Sequence, residues 1–391
     1  MLISDPPSTI AIVGAGFSGS LVAAHLLKLT NRPLLIKLIE CSHEVGKGVA
    51  YSTNVDRHLL NVSAGKMSAY ADDPTHFLRW LQYNRSELAT LLPQDLNASS
   101  FIPRSVYGLY IQSILEEAEA TASHNVRLEH IVDEVVAVEP SIKGAIVSLR
   151  SSRVFLADKI VLALGNAATG LTVPNTPYLR HAWSADALTG LDPDGAVLLL
   201  GTGLTMVDML VSLCDRQHRG KIYAVSRRGL VPLPHQSTKP YPAFLSPNTA
   251  PKRVLGLLQR IRAEIKTATL KGYDWRSVID SLRPITPQLW QQLPRIEQKR
   301  FLRHLTPYWD VHRHRIALEL GEIVQERLNA GQLQIIAGRI QAYQTEGNVV
   351  AVTLKQRRTK TNVVLQVDRV VNCTGVQVDY RQSTQPLIAN L

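Results

Sequence analysis

Residues 10–20 read "IAIVGAGFSGS", and this stretch decides the fold of the chain around it. An apolar strand runs into three glycines with the spacing G-x-G-x-x-G, and apolar residues then recur at helical spacing. In this arrangement Gly14 permits the tight turn and Gly16 lets the backbone approach a pyrophosphate. Gly19 lets the following helix lie close to the strand. The stretch therefore predicts a strand–turn–helix unit that binds a dinucleotide.

The next strand strengthens this prediction. "LLIKLIE" ends in Glu40, an acid placed to accept hydrogen bonds from the ribose hydroxyls. The N–H groups of Phe17 and Ser18 open the helix and can meet phosphate oxygens. A glycine turn without a ligand is the alternative, but strand, turn, helix, strand and terminal acid together favour a dinucleotide site.

A second copy of the plan begins at residue 195, with "GAVLLLGTGLTMVDMLVSLCD" as strand, turn and helix. Gly201 and Gly203 keep the first two glycines of the fingerprint. Met206 occupies the third position, which leaves the approach of a phosphate intact but predicts a helix shifted away from the turn and a looser site.

The strand after this helix, "KIYAVSRRG", carries Arg227 and Arg228 where the first copy has Glu40. A carboxylate favours an unphosphorylated ribose, whereas arginines pair with a 2′-phosphate. The first site is therefore predicted to bind FAD and the second NADPH, with Leu204 and Thr205 at the phosphate end of the second helix.

Residues 126–165 and 333–375 also correspond, since each stretch reads as a β-meander followed by an apolar strand. These strands end in Gly165 and Gly375, where the backbone is expected to pass close to a cofactor. Chance similarity of two meanders is the alternative. With the glycine turns, the pattern predicts an α/β fold of two Rossmann-like dinucleotide-binding domains, with parallel sheets and β-meanders in three layers.

The domain boundaries follow from these repeats in a chain of 391 residues, a length that suggests two or three domains. We expect the main part of an FAD domain over 1–190 and an NADPH domain over 191–345. Proline-punctuated helical patterns predict an insertion at about 232–318. The second meander and a return to the FAD domain, apparently truncated, are expected over 346–391.

Charge is distributed unevenly along the chain. Residues 1–200 hold 15 Lys and Arg against 19 Asp and Glu, a balance of −4, and the rest hold 28 against 13, a balance of +15. This basic excess suits an anionic cofactor or substrate, an acidic surface or a nucleic acid. No helix-turn-helix, zinc-finger or RNA-binding signature is present, so we expect a small-molecule substrate and no nucleic acid.

Other features narrow the cellular context. No apolar run approaches the roughly 20 residues that span a bilayer, and the N-terminus lacks a basic signal region. Cys41, Cys214 and Cys373 form neither a disulfide framework nor a zinc pattern. His312 and His314 are two residues apart and point to different helix faces. We expect a cytoplasmic protein that uses neither membrane nor metal.

The chain resembles the bacterial FAD/NAD(P)-binding proteins of the YdhS type, within the two-dinucleotide flavoproteins. The resemblance lies in "VGAGFSG", "GKGVAYSTNVDRHLLNVSAGKMSAYADDPTHFLRWL", "FIPRSVYGLYI", "GTGLTMVDM", "SRRG", "YWDVHRHRI" and "VVNCTG". It extends over nearly the whole chain and implies kinship with flavin N-hydroxylating monooxygenases.

The resemblance also implies site residues. The loop after Glu40 would run along the flavin, and its candidate contacts are Lys47, Gly48, Tyr51, Asn61 and Ser63. Lys47 and Asn61, like Arg104, are also candidate catalytic residues. Arg104 lies just before a predicted helix, near enough for an isoalloxazine or substrate oxygen. An ordinary surface loop and a solvent-facing arginine are the alternatives.

A basic cluster in the helical insertion is a further candidate site. Its members are Arg303, His304, His312, Arg313, His314 and Arg315, and Arg313 is also a candidate catalytic residue. Such a cluster can hold a substrate carboxylate or the NADPH phosphates, or it can be a solvated basic face.

The reaction is expected to be an oxidoreduction, in which flavin reduced by NADPH passes electrons on. The absence of C-x-x-C removes a dithiol acceptor and leaves molecular oxygen, which points to a monooxygenase-like enzyme acting on a small anionic metabolite. The alternative is an FAD/NAD(P)-binding sensor or interaction protein without turnover.

The end of the chain carries one more expectation. The strand from Arg369 to Asn372 is expected to return to the first domain, and little chain follows it. Relatives commonly continue to a further FAD-contacting segment, so we expect weak flavin binding. A homo-oligomer or a partner chain then covers the cleft, unless Tyr380 and the "PLIANL" tail close it.

Overall fold

The computed structural model describes residues 7–165, 179–184, 186–347, 349–375 and 385–391. The chain divides into two compact units. The first unit comprises Met1–Pro174 and Gly375–Leu391, and the second comprises Asn175–Thr374. In chain order the elements are β1 (Ser8–Val13), α1 (Phe17–Leu29), β2 (Leu34–Glu40), α2 (Gly48–Tyr51), a 3-10 turn (Ala64–Lys66), α3 (His76–Tyr83), α4 (Arg104–Ala120), β3 (Val126–Val132), β4 (Val135–Ser141), β5 (Gly144–Leu149), β6 (Val154–Ala157), β7 (Lys159–Leu162), β8 (Leu179–His181), β9 (Val197–Leu200), α5 (Leu204–Asp215), β10 (Ile222–Ser226), α6 (Val254–Leu270), α7 (Trp275–Ser281), a second 3-10 turn (Arg283–Ile285), α8 (Thr286–Gln292), α9 (Arg295–His304), α10 (Thr306–Arg313), α11 (Leu318–Asn329), β11 (Leu333–Glu346), β12 (Val349–Gln356), β13 (Asn362–Val367), β14 (Arg369–Asn372) and α12 (Pro386–Asn390).

The first unit has three layers around a parallel sheet of order β3-β2-β1-β7. Successive residues of β1 face opposite sides of the sheet. Ile12 packs in a core with α1 and α4, whereas Ala11 and Val13 pack in a core with the β4–β6 meander. Both faces of β1 are thus covered, which explains the continuous apolar run over residues 10–13. Leu387 of α12 belongs to the meander-side core.

The second unit repeats this arrangement in a sheet of order β13-β12-β11-β10-β9-β14-β8. Strand β11 begins as a parallel neighbour of β10 and continues as an antiparallel neighbour of β12. In the first unit the same path is divided between β3 and β4 at Asp133 and Glu134. The predicted pairing of meander and parallel sheet therefore occurs twice, and the α/β fold class is confirmed.

The strand Arg369–Asn372 does not return to the first unit, and the expectation that it would is wrong. It pairs in parallel with β9 on one side and β8 on the other. All four of its residues are buried, and its place beside β9 matches that of β7 beside β1. Return to the first unit begins only at Gly375. Tyr380 lies outside the described residues.

Helices α6 to α11 lie between β10 and β11, and prolines stand in the first turns of α8 and α10, where the missing N–H is tolerated. Helix α11 packs against α5 and β11 as the crossover of the dinucleotide fold, so the inserted helices are α6 to α10. Within the described ranges no helix is long and apolar enough to cross a membrane.

Candidate functional site

The first glycine of each turn is required by the packing of the turn itself. Gly14 and Gly201 have φ angles of +97° and +107°, a region that favours glycine. A Cβ on Gly14 would lie 2.3 Å from the carbonyl oxygen of Ala163, and one on Gly201 would lie 2.6 Å from that of Cys373. A substitution at Gly14 would therefore disrupt the turn as well as any flavin site, which makes it a poor probe of binding alone.

The third position of the fingerprint differs between the two turns. A Cβ on Gly19 would lie only 1.8 Å from the carbonyl oxygen of Gly14. Met206 carries a Cβ at the equivalent position and is fully buried. The first turn of α5 must therefore lie farther from the carbonyl of Gly201 than α1 lies from that of Gly14.

Both helices begin without a side-chain cap. Gly16 and Gly203 are the N-cap residues of α1 and α5, and neither helix has an acidic residue in its first turn. The first N–H groups, at Phe17, Ser18, Leu204 and Thr205, lack carbonyl partners within the helix. Together with the helix dipole they form a positive end that suits a phosphate.

The two N-caps differ in their surroundings. A Cβ on Gly16 would meet the Cα of Gly48 at 3.3 Å, because the loop after β2 folds back over the first turn. A Cβ on Gly203 would meet no described atom within 4 Å. The second turn therefore has open space at the point where a pyrophosphate would approach.

Glu40 ties the end of β2 to the first turn. Its Oε2 accepts a hydrogen bond from the N–H of Ala15 at 2.8 Å, and its Oε1 accepts one from the N–H of Cys41 at 2.8 Å. Each carboxylate oxygen has a further lone pair. Glu40 can thus hold the turn in shape and still accept hydrogen bonds from ribose hydroxyls.

Ser20 holds the following loop onto the turn, a role that the sequence did not reveal. Its hydroxyl donates to the carbonyl of Ala15 (2.8 Å) and accepts from the N–H of Gly46 (3.0 Å). The same N–H also donates to the carbonyl of Ala15 at 2.8 Å. A polar side chain on the otherwise apolar buried face of α1 was the available signal.

Aromatic rings pack together where the loop after β2 meets α1 and α4. The ring of Tyr51 lies 5.8 Å from that of Phe17 and 4.9 Å from that of Tyr107. Burial raises the pKa of Tyr51, and the nearby Arg104 acts in the opposite direction. Tyr51 is therefore a neutral packing group with a hydroxyl at ordinary pH.

The other loop candidates are placed as follows. The stem of Lys47 packs over Gly108 of α4, and its Nζ lies 3.9 Å from the exposed carboxylate of Glu44. Asn61 and Ser63 are half-buried, and Ser63 precedes the 3-10 turn. Lys47 thus has a fixed stem and a loosely paired ammonium group.

Arg104 is the first residue of α4 rather than a residue before it. Its N–H donates to the carbonyl of His58 at 2.8 Å, and its Nε donates to the carbonyl of Leu59 at 3.1 Å. Arg104 therefore fastens the loop to the start of α4, and its guanidinium is half-buried rather than free in solvent.

Gly165 and Gly375 follow the crossover strands β7 and β14, with φ angles of +67° and +96°. A Cβ at either position would meet no described atom within 4 Å. The two glycines thus occupy corresponding open positions, each three residues beyond the end of its strand, although Gly375 already belongs to the first unit.

Thr202 joins the second turn to the segment that carries the arginines. Its buried hydroxyl donates to the carbonyl of Leu230 at 2.5 Å and lies 2.8 Å from Oγ of Ser226. Ser226 Oγ also accepts from the N–H of Gly229 at 2.9 Å. These bonds fix the position of the chain at Arg227 relative to the glycine turn.

The two arginines are not equivalent. Arg227 is exposed and has no hydrogen bond to any described residue. Arg228 is half-buried, and its Nη2 donates to the carbonyl of His304 at 3.1 Å. The guanidinium carbon of Arg228 also lies 5.3 Å from the centre of the Tyr308 ring. Arg227 is free to meet a phosphate, whereas Arg228 is held by the helical insertion.

This difference gives a prediction on coenzyme choice. We expect Arg227→Ala to lower the preference for NADPH over NADH by about tenfold or more, because a charge-assisted contact contributes roughly 1.5–3 kcal/mol. Arg228→Ala should also lower the melting temperature, because it releases His304 and Tyr308. Arg262→Ala removes an exposed charge from α6 and is the control. Unchanged NADPH/NADH ratios of kcat/KM in both variants would refute the assignment.

The six residues of the predicted basic cluster do not form one site. His304 meets Arg228 through its carbonyl, and Arg303 is exposed on α9. His312 Nδ1 lies 2.7 Å from the carbonyl of Tyr308, and its ring packs edge-on against Trp275. Local packing of α9 and α10 thus directs these groups to different neighbours.

Arg313 and Arg315 lie elsewhere, near Asp280 of α7. The described side chains include no group of three or more His, Cys, Asp or Glu arranged to hold a metal ion.

A protein-family model matches the N-terminal part of the chain. Residues 11–167 match the model of a protein family described as FAD-NAD(P)-binding, so the chain carries an FAD/NAD(P)-binding domain. No curated protein matches the chain.

Solved structures with a similar fold include flavoprotein monooxygenases. Ornithine N-hydroxylase of Kutzneria sp. 744, determined with reduced FAD, NADP+ and L-ornithine, has a TM-score of 0.60 at 14% identity over 95% of this chain and 81% of that chain. The FAD-bound cadaverine monooxygenase of Erwinia amylovora has a TM-score of 0.62 at 13% identity over 96% and 79%. Reduced ornithine hydroxylase of Pseudomonas aeruginosa has a TM-score of 0.61 at 13% identity over 99% and 85%. The similarity is one of fold and supports the α/β class.

Proposed function

We propose that the protein is an NADPH-dependent flavoprotein oxidoreductase of the monooxygenase type, with FAD in the first unit and NADPH in the second. The observation that carries the proposal is the contrast between two equivalent positions. At the end of the second strand of each dinucleotide fold, one unit has the carboxylate of Glu40 and the other has Arg227. This contrast separates an unphosphorylated ribose from a 2′-phosphorylated one.

The residues of the first unit fit FAD. The uncapped N-terminus of α1 offers the amides of Phe17 and Ser18 to the pyrophosphate. Glu40 is held by two backbone amides with lone pairs to spare for the ribose. By resemblance to proteins of the YdhS type, the loop with Lys47 and Asn61 runs along the flavin.

The residues of the second unit fit NADPH. The open space at Gly203 admits a pyrophosphate to the N-terminus of α5. Exposed Arg227 supplies a planar donor for the 2′-phosphate. Met206 sets α5 back from the turn, and we infer a moderate rather than tight affinity for the coenzyme.

Bound to these residues, NADPH would supply a hydride and FAD would supply the means to pass the electrons on to molecular oxygen. The sequence contains no C-x-x-C pair that could accept these electrons instead. The fold neighbours named above include hydroxylases and monooxygenases of ornithine and cadaverine. We propose a small metabolite with an anionic group as the substrate, and Arg104 as a group that meets flavin or substrate oxygen.

Purified protein reconstituted with FAD tests the proposal. We expect NADPH oxidation that consumes oxygen, and a hydroxylated product from one member of a panel of amines and amino acids. Product formation should replace hydrogen peroxide release when the right substrate is present. A flavin-loaded protein that oxidises neither NADPH nor NADH would instead support the sensor alternative.

A further inference from the structure

Three arginines of the second unit gather around a single carboxylate. Arg283 Nε donates to Oδ1 of Asp280 at 2.7 Å, and Nη2 of Arg315 donates to the same oxygen. Arg313 ends α10, two residues before Arg315, and α10 packs against α7, which carries Asp280. The charges of Arg283, Asp280 and Arg315 all act on the pKa of Arg313. Three positive charges against one negative charge leave an excess of two in one place.

No other described acid neutralises this excess. Asp310, which also lies on α10, faces His314 at 3.9 Å, and burial raises the pKa of this aspartate. The guanidinium of Arg313 has no hydrogen bond to a described residue. Burial, reinforced by Arg283, lowers the pKa of Arg313. Arg313 stays charged at ordinary pH, but its charge is less well stabilised here than in water, and a bound anion would offset that cost.

The buried member of the group points to a missing acceptor. Arg315 is only 2% exposed, and among the described residues its buried Nε has no hydrogen-bond partner. A buried charged donor is normally satisfied. The side chains of Arg283 and Arg313 are half-exposed, so both guanidinium groups are accessible to solvent in part.

We infer that Arg283 and Arg313, with Arg315 behind them, form a binding site for the carboxylate or phosphate group of a small molecule. A planar guanidinium matches either group with two parallel hydrogen bonds. None of the described hydrogen bonds of Arg283 and Arg315 involves the coenzyme candidates Arg227 and Arg228. Anion binding at this site does not depend on which reaction the flavin performs. The inference can therefore be tested independently of the proposed function.

Titration calorimetry of the FAD-loaded full chain with inorganic phosphate and with succinate tests the inference. We expect at least one of the two probes to bind. Tighter binding of phosphate would indicate a phosphate ligand, and tighter binding of succinate would indicate a carboxylate ligand. Arg313→Gln and Arg283→Gln should each weaken binding about tenfold or more, which corresponds to loss of one charge-assisted contact. Added salt should weaken binding in the wild type.

Arg303→Gln is the matched control, since it removes an exposed arginine from the same helical segment. Affinity for NADP+ should be unchanged in Arg313→Gln, which separates this site from the coenzyme site. If Arg313→Gln unfolds at a lower temperature than the wild type, the affinity of Arg283→Gln provides the test, because Asp280 still accepts a hydrogen bond from Arg315 in that variant. Absence of binding by both probes, equal loss in the control, or full competition by NADP+ would overturn the inference.

Discussion

Gly203→Val is expected to leave a folded, flavin-retaining protein that no longer uses NADPH efficiently. A side chain here enters open space at the N-terminus of α5, so the fold can accommodate it. Valine also suits the extended backbone at this residue. The branched carbons would occupy the approach path of the pyrophosphate. Loss of its amide contacts should cost about 3 kcal/mol, or roughly 100-fold in the Kd for NADPH.

Gly201→Ala is the informative counterpart two residues earlier. Its Cβ would lie 2.6 Å from the carbonyl oxygen of Cys373, at a φ angle of +107°. We expect this smaller substitution to lower the melting temperature substantially, whereas Gly203→Val shifts it little. An NADPH affinity in Gly203→Val within about twofold of wild type would mean that the coenzyme binds elsewhere.

Glu40→Gln should produce the largest loss at the first site. One carboxylate oxygen would become an amide NH₂ that faces the N–H of Ala15 or Cys41, so a charge-assisted hydrogen bond is replaced by two opposed donors. Each lost contact should cost about 1.5–3 kcal/mol, and the hydrogen bonds to the ribose should weaken as well. We therefore expect most of the flavin to dissociate during purification. Flavin content and an FAD titration measure the effect.

Glu44→Gln provides the control, because it removes the same charge from an exposed side chain four residues later, with only a 3.9 Å contact to Lys47. It should retain flavin as the wild type does. Equal flavin content in the Glu40 and Glu44 variants would show that Glu40 plays no part in holding the cofactor.

The glycine turns could be predicted from the sequence because their requirements are local. A tight turn, an uncapped helix start and a terminal acid or arginine all occur within one strand–helix–strand segment. The shift of α5 predicted from Met206 has the same local basis, since a Cβ at that position needs more room beside the turn than a glycine does. The structure supplies the number behind it, a Cβ contact of 1.8 Å at Gly19.

Features that depend on distant partners could not be predicted in the same way. The apolar pattern of Arg369–Asn372 indicates a buried strand but does not choose between two parallel sheets, and β9 proved to be its neighbour. The prediction that the six basic residues form one site was wrong for a related reason. Whether Arg315 faces solvent or Asp280 is decided by the packing of α7 against α10, which spacing along the chain does not encode.

Anaerobic mixing of the FAD-loaded protein with NADPH tests the central claim most directly, namely that one chain holds both dinucleotides and passes hydride from one to the other. We expect the visible flavin absorbance to bleach with one equivalent of NADPH, faster than with NADH, and to return when oxygen is admitted. Flavin that stays oxidised under excess NADPH, in a protein shown to contain bound FAD, would contradict the claim.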